Sequence, residues 1–163
     1  MSMVARDVMD SRFHLLHPRD TLSRAVEMFQ TASREEKRKI FGLMVVDDED
    51  RLVGMISMYD ILLFLQPKHV RIWSEMEEPD LDQLFTELLE RAKGIEAGDI
   101  MTTEVVTISP DTHLLAVADI MLKKHVRRLP VTENGRIIGI VYISSLFHHM
   151  LSGFLPSQGQ TPW

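Results

Sequence analysis

The 163-residue chain has no cysteine, which removes disulfides and thiolate metal sites. That absence suits a reducing compartment, and a cytoplasmic location is the expectation. No stretch approaches the ~18 consecutive apolar residues that span a bilayer. The first ten residues, MSMVARDVMD, hold no apolar signal core, so no membrane partner is expected. Positive charge is not in excess: 18 Lys and Arg stand against 24 Asp and Glu, a net charge of −6 that does not favour a nucleic-acid polymer. Catalytic signatures are missing as well. There is no G-x-S-x-G, no phosphate-loop lysine motif and no acid–base pair tied to a nucleophile, so an enzyme is not expected. The histidines, His14, His17, His69, His113, His125, His148 and His149, show no HExxH or other metal-ligand spacing. His148 and His149 are adjacent on a helix and diverge by about 100°. What remains is an ordinary globular composition, 45% hydrophobic and 26% charged. Its 11 methionines are scattered at apolar-periodic positions, where they fill core gaps.

The informative feature is a duplication. Residues 7–9 read DVM and residues 99–101 read DIM. Short apolar runs follow, FHLL at 13–16 and VVTI at 105–108, then HPRDTL at 17–22 and SPDTHL at 109–114. Pro18 and Pro110 each precede a helix start, with Asp or Thr available as the cap. Leu22, Ala25, Val26 and Phe29 recur at i, i+3, i+4 and i+7, as do Leu114, Val117, Ala118 and Met121, so each set is one apolar helical face. The strands FGLMVV (41–46) and RRLPV (127–131) come next, then a turn, DDED or the hairpin pair Asn134-Gly135. RLVGMIS (51–57) matches RIIGIVY (136–142), and a helix follows each.

The unit is therefore strand–helix–strand–strand–helix, twice. The registers differ by 92 residues at the front and 85 at the back. Repeat one carries seven extra residues near SREEKRK, read as an extended, solvated helix or loop. Each unit of ~60 residues is marginal alone, and two copies packed together relieve that. The sequence divides into repeat one (1–66), a linker (67–96) with an amphipathic helix ended by Gly94, repeat two (97–152) and a loose tail (153–163).

The segment GMISMYD at 54–60 carries the chemistry. It reads as a buried strand ending at Ser57, with Asp60 in the first turn of the next helix. The hydroxyl and carboxylate suit a neutral diol such as ribose, or they cap the helix.

With the DVM and DIM starts and HVRRLPV at 125–131, this ordered and duplicated set of motifs resembles the CBS (cystathionine β-synthase) domain family in its tandem form. The resemblance covers roughly residues 4–65 and 97–150. It implies an α+β fold in which two β-α-β-β-α repeats pack about a pseudo-twofold axis. It also implies an adenosine ligand (AMP, ADP or ATP, with S-adenosylmethionine ranked below them), regulation of an unidentified partner, and a homodimer. Carried over to this chain, Asp60 would hold the ribose hydroxyls with Ser57 beside them, and Met55 would line the adenine pocket. Thr102 and Thr103 would sit near the base. Val126, Arg127 and Arg128 would form the opposing wall, where two guanidinium groups suit phosphate. The corresponding second site has Tyr142 and Ser145 where Ser and Asp should be, and Phe41, Gly42 and Leu43 as its wall, so it is expected to be empty or to hold something uncharged. The alternative is a ligand-independent dimerisation and docking module with a vestigial cleft.

Overall fold

The computed structural model describes residues 3–66 and 78–155. The linker stretch 67–77 and the tail beyond Leu155, expected to be loose, lie outside the described residues. Repeat one contributes β1 (Leu15–Leu16), α1 (Leu22–Glu35), β2 (Gly42–Val46), β3 (Leu52–Ser57) and α2 (Met58–Leu65). The linker helix is α3 (Glu78–Ala92), followed by the short α4 (Ala97–Ile100). Repeat two contributes α5 (Leu114–Lys124), β4 (Arg128–Glu133), β5 (Arg136–Tyr142) and α6 (Ile143–Leu151). In one sheet β2 lies between β1 and β3, with β1 parallel to it. In the other, β4 and β5 are antiparallel. Their hairpin turns on Asn134 and Gly135, both at positive φ (55° and 79°), as the Asn-Gly pair predicts.

The strand expected at 105–108 is reduced to a single parallel bridge between Ile108 and Val131. Ile108 N–H donates to the Pro130 carbonyl, and Thr132 N–H returns to Ile108. Proline between them has no N–H to extend the ladder.

Two compact units emerge, and their limits are not those of the sequence repeats. One joins the body of repeat one to the lead-in of repeat two (His14–Glu49 and Val53–Val105). The other joins the body of repeat two, from Val106 onward with Asp50–Leu52, to the lead-in of repeat one, up to Phe13. The same bonds dock each lead-in. In the repeat-one unit, Ala97 N–H donates to the Asp20 carbonyl (2.7 Å) and Gly98 N–H to Pro18 (2.8 Å), and Met55 and Thr102 exchange bonds of 2.9 and 2.8 Å. In the repeat-two unit, Ala5 donates to Thr112 (2.8 Å) and Arg6 to Pro110 (2.9 Å), and Asp10 and Ile140 exchange bonds of 2.8 and 2.9 Å. The aspartates of DVM and DIM have matching roles. Asp7 accepts the Val4 N–H and Asp99 the Glu96 N–H, each folding the lead-in into one tight turn.

A glycine admits each lead-in. A Cβ on Gly54 would lie 2.6 Å from Met101 Sδ and 2.9 Å from the Thr102 carbonyl oxygen. A Cβ on Gly139 would lie 2.6 Å from Met9 Sδ. The methionine of DVM or DIM thus occupies the space a side chain would need.

Core positions follow the expected periodicities, with corrections at the edges. α1 buries Leu22, Ala25, Phe29 and Ala32, while Val26, expected on that face, is 45% exposed. The 3.6-residue helical period turns Val26 to the rim of the stripe. α5 buries Leu114, Val117 and Met121 over Leu129, Val131 and Val141 of the sheet, with Ala118 only partly covered. Thr21 caps α1, accepting the Arg24 N–H. At α5 the cap is His113, whose Nδ1 accepts the Leu115 N–H, because Thr112 is already engaged by the Ser109 N–H. The extra residues of repeat one lengthen its helix, 14 residues in α1 against 11 in α5, and its exit loop.

Gly54→Ala is expected to destabilise the chain by ~1–3 kcal/mol, the range for overpacking. Gly139→Ala should cost less. A methionine side chain can move away from the new methyl there, whereas the Thr102 carbonyl at Gly54 is pinned by the bonds to Met55. Urea unfolding of both variants measures the difference.

Candidate functional site

Strand β3 delivers Ser57 to the start of α2, where Ser57 is the N-cap. Its hydroxyl accepts the Asp60 N–H at 3.0 Å, and Asp60 Oδ2 accepts the Ser57 N–H at 2.9 Å. This is a reciprocal capping box that satisfies two of the donors a helix start leaves open. Sequence left ribose binding and capping as alternatives, and the geometry shows the capping role directly. The box uses Oδ2, which leaves Oδ1 of the half-buried Asp60 as a further acceptor. Phe41 completes the junction from behind, its carbonyl accepting the Met58 N–H at 2.8 Å.

Met55, Ser57, Asp60, Thr102 and Thr103 all fall in the repeat-one unit. There, Met55 and Thr102 are joined by the paired backbone bonds described above, and Thr102 and Thr103 are exposed. The backbone of Thr102 therefore touches the strand that leads to Ser57, two residues beyond Met55.

Val126, Arg127 and Arg128 belong to the repeat-two unit. His125 ends α5 in the left-handed region (φ 54°, ψ 43°), which turns the chain sharply into β4. Arg127 is exposed and Arg128 half-buried, and the Arg127 carbonyl accepts the Ile143 N–H at the first turn of α6. The corresponding helix start in this unit differs from the Ser57 junction. Tyr142 is the N-cap, forms no side-chain capping bond and is 9% exposed. A buried ring takes the place of the hydroxyl, so this junction has no counterpart to the Ser57–Asp60 box.

Sequence reasoning missed Asp10, which the paired bonds set against Ile140 as Thr102 is set against Met55. The 92-residue front register and 85-residue back register could have found it. It also missed a histidine held between two carboxylates. His14 Nδ1 lies 2.8 Å from Glu36 Oε2, and His14 Nε2 lies 2.7 Å from Glu35 Oε2. Burial works to lower the His14 pKa, but hydrogen bonds to Glu36 and then Glu35, with their charges, outweigh it and hold the pKa above its ordinary 6.5. Among the described residues no group of three or more His, Asp or Glu side chains is arranged to hold a metal ion, and no helix is long and apolar enough to cross a membrane.

Two α+β repeats, each ending in a strand–helix junction and one keeping the polar capping pair, define a tandem-repeat α+β module. The sequence profile of the CBS domain matches residues 5–67 and 97–152, and the chain belongs to the CBS domain family. Among its relatives, the chloroplastic CBS domain-containing protein CBSX2 of Arabidopsis thaliana is 32% identical over 136 residues, covering 78% of this chain and 54% of the relative. CBSX1 of the same plant is 28% identical over 135 residues, covering 78% and 55%. The chain thus spans about half the length of these two relatives. The crystal structure of CBSX2 in complex with AMP superposes with a TM-score of 0.66 at 27% identity, covering 94% of this chain and 100% of that one.

Ser57→Ala is expected to cost ~0.5–2 kcal/mol through loss of the cap alone. Ser145→Ala should change stability by less than ~0.5 kcal/mol, since it lies in a helix start without a side-chain cap. Thermal or chemical denaturation without ligand checks the contrast.

Proposed function

We propose that this chain is a regulatory module that binds one adenosine nucleotide, of the AMP, ADP or ATP type, and transmits its presence to a partner protein. The observation that carries this reading is the likeness along nearly the whole chain to a CBS-pair protein crystallised with AMP. The Ser57–Asp60 junction supports it, because the carboxylate has an acceptor left after capping. Asp60 takes the ribose hydroxyls with Ser57 beside it, and Met55, Thr102 and Thr103 face the base. Arg127 and Arg128 grip phosphate with charge-assisted bonds, and Val126 flanks them. S-adenosylmethionine is the poorer ligand, since it brings no phosphate to the arginines. The ligand acts by differential affinity, favouring the conformation in which all these residues reach it. The acting form is a homodimer. Leu62, Leu63 and Phe64 of α2 are 67%, 56% and 42% exposed, and Leu115, Leu122 and Phe147 of repeat two are 66%, 69% and 54% exposed, faces that a twofold pairing would cover. Ile61 and Leu146 on the same helices point into the cores at 8% and 3% exposure, because helical periodicity sets them on the opposite side.

One observation favours a second reading, a docking module without ligand: Asp60 already has a structural task in the capping box. Asp60→Asn separates the two, since an amide oxygen still accepts the Ser57 N–H while the carboxylate charge and its second acceptor are lost. Calorimetric titration with AMP and adenosine should show Asp60→Asn weakening both by about tenfold to a hundredfold. Arg128→Ala should weaken AMP and spare adenosine, which has nothing for a guanidinium to hold. The parent should bind one nucleotide per chain. No binding by the parent supports the docking module, and unchanged AMP affinity in Asp60→Asn overturns the ribose role and leaves Asp60 a helix cap.

Light scattering at tens of micromolar (roughly the range that populates an ordinary dimer) is expected to show a dimer. A monomer there counts against the paired faces.

A further inference from the structure

The seven extra residues of repeat one include Glu35 and Glu36, in a charge run that composition alone assigns to solvent. The structure gives them a partner. Glu35 ends α1, Glu36 is its C-cap, and both reach His14, the residue just before β1. A carboxylate oxygen can only accept, so each ring nitrogen must bring its own proton. Neutral imidazole has one N–H, and the two bonds of 2.8 and 2.7 Å are both satisfied only by the imidazolium. The arms are unequal. The Glu36 side chain is 8% exposed and that of Glu35 60%, so the Glu36 bond is the one that water screens least.

What the clamp holds is the exit from α1. Lys37 follows in the left-handed region (φ 55°), and Ser33 collects the chain beyond it. The Ser33 carbonyl accepts the Arg38 N–H at 3.2 Å, and its hydroxyl accepts the Ile40 N–H at 3.1 Å. Ile40 is 1% exposed, and the next residue, Phe41, gives its carbonyl to the Met58 N–H at the start of α2. We infer that His14 is a proton-operated latch: as imidazolium it fastens the end of α1, and with it segment 36–41, to the start of β1, and on losing a proton it lets that segment loosen.

Glu35 and Glu36 are the charged groups whose bonds and fields act on His14. β2, packed beside β1, presents apolar Met44 and Val45 at the paired positions. Because the folded-state pKa of His14 is raised, the latch contributes fully below the unfolded value of 6.5 and is lost as pH rises through the folded value. Repeat two has Val106 at the position of His14, packed on its core, so the latch is confined to repeat one.

The test needs no nucleotide, so its failure is distinct from failure of the ligand reading. Proton NMR of the full chain should give His14 a titration midpoint above 6.5, and Glu36→Gln should move it downward. Hydrogen exchange at about pH 5.5 and about pH 8.5 should show the protection factor of the Ile40 amide falling by about tenfold or more at the higher pH. His14→Gln should remove that pH dependence, while the Ile108 amide of repeat two keeps its protection throughout. If His14→Gln does not fold, the Glu36→Gln titration still decides. A His14 midpoint at or below 6.5, or equal protection of Ile40 at both pH values in the parent, overturns the latch.

Discussion

The structure depends on a backbone contact that only glycine permits. At Gly54 and Gly139 a strand is approached so closely by another segment that a methionine sulfur would lie 2.6 Å from an added Cβ. The visiting segment then exchanges two hydrogen bonds with the next residue, Met55 or Ile140. Buried polar backbone must be paired, and these bonds pair the edge of a small sheet that would otherwise be left open. The visitor comes in each case from the lead-in of the other repeat, Met101–Thr102 onto Gly54–Met55 and Met9–Asp10 onto Gly139–Ile140. Neither sequence repeat is therefore a complete packing unit, and the marginal size of ~60 residues is relieved by exchange of lead-ins as well as by duplication.

That exchange also positions chemistry. Thr102 belongs by sequence to repeat two, yet its backbone is bonded to the strand that carries Ser57. Local capping supplies the rest of the junction, since Ser57 and Asp60 hold each other through backbone N–H groups and set the first turn of α2. The Asp60 carboxylate is thus held in one orientation by the cap. The second junction has neither group, with Tyr142 and Ser145 at the corresponding positions. With Tyr142 buried and Ser145 short of a carboxylate, its helix starts without a side-chain cap. One duplicated scaffold therefore carries one junction with a side-chain capping box and one without.

The asymmetry extends to the helices. α5 closes with a left-handed His125 and passes at once to the arginines, whereas α1 runs three residues longer and ends on two glutamates. The adjacent carboxylates of exposed Glu35 and largely buried Glu36 repel, and His14 offsets that repulsion while it carries a proton. The extension links the protonation of one imidazole to the backbone that leads, through Ile40 and Phe41, to the start of α2.

The duplicated order of elements, the apolar faces of α1 and α5, the Asn134-Gly135 hairpin and the strand-to-helix position of Ser57 and Asp60 were all legible in the sequence. Each rests on local rules: helical period, turn chemistry and capping. The family followed from the order of those motifs. Distance along the chain hid the rest. No local pattern states that Met101 must sit over Gly54, that Asp10 lies against Ile140, or that Val26 turns to the rim while Ile61 turns inward. These depend on which segment packs on which. The pairing of His14 with Glu35 and Glu36 joins residues 21 and 22 positions apart. A single sequence shows them as an ordinary histidine and an ordinary charge run. Composition fixed how many charges there are, and only the fold decided which of them share a proton.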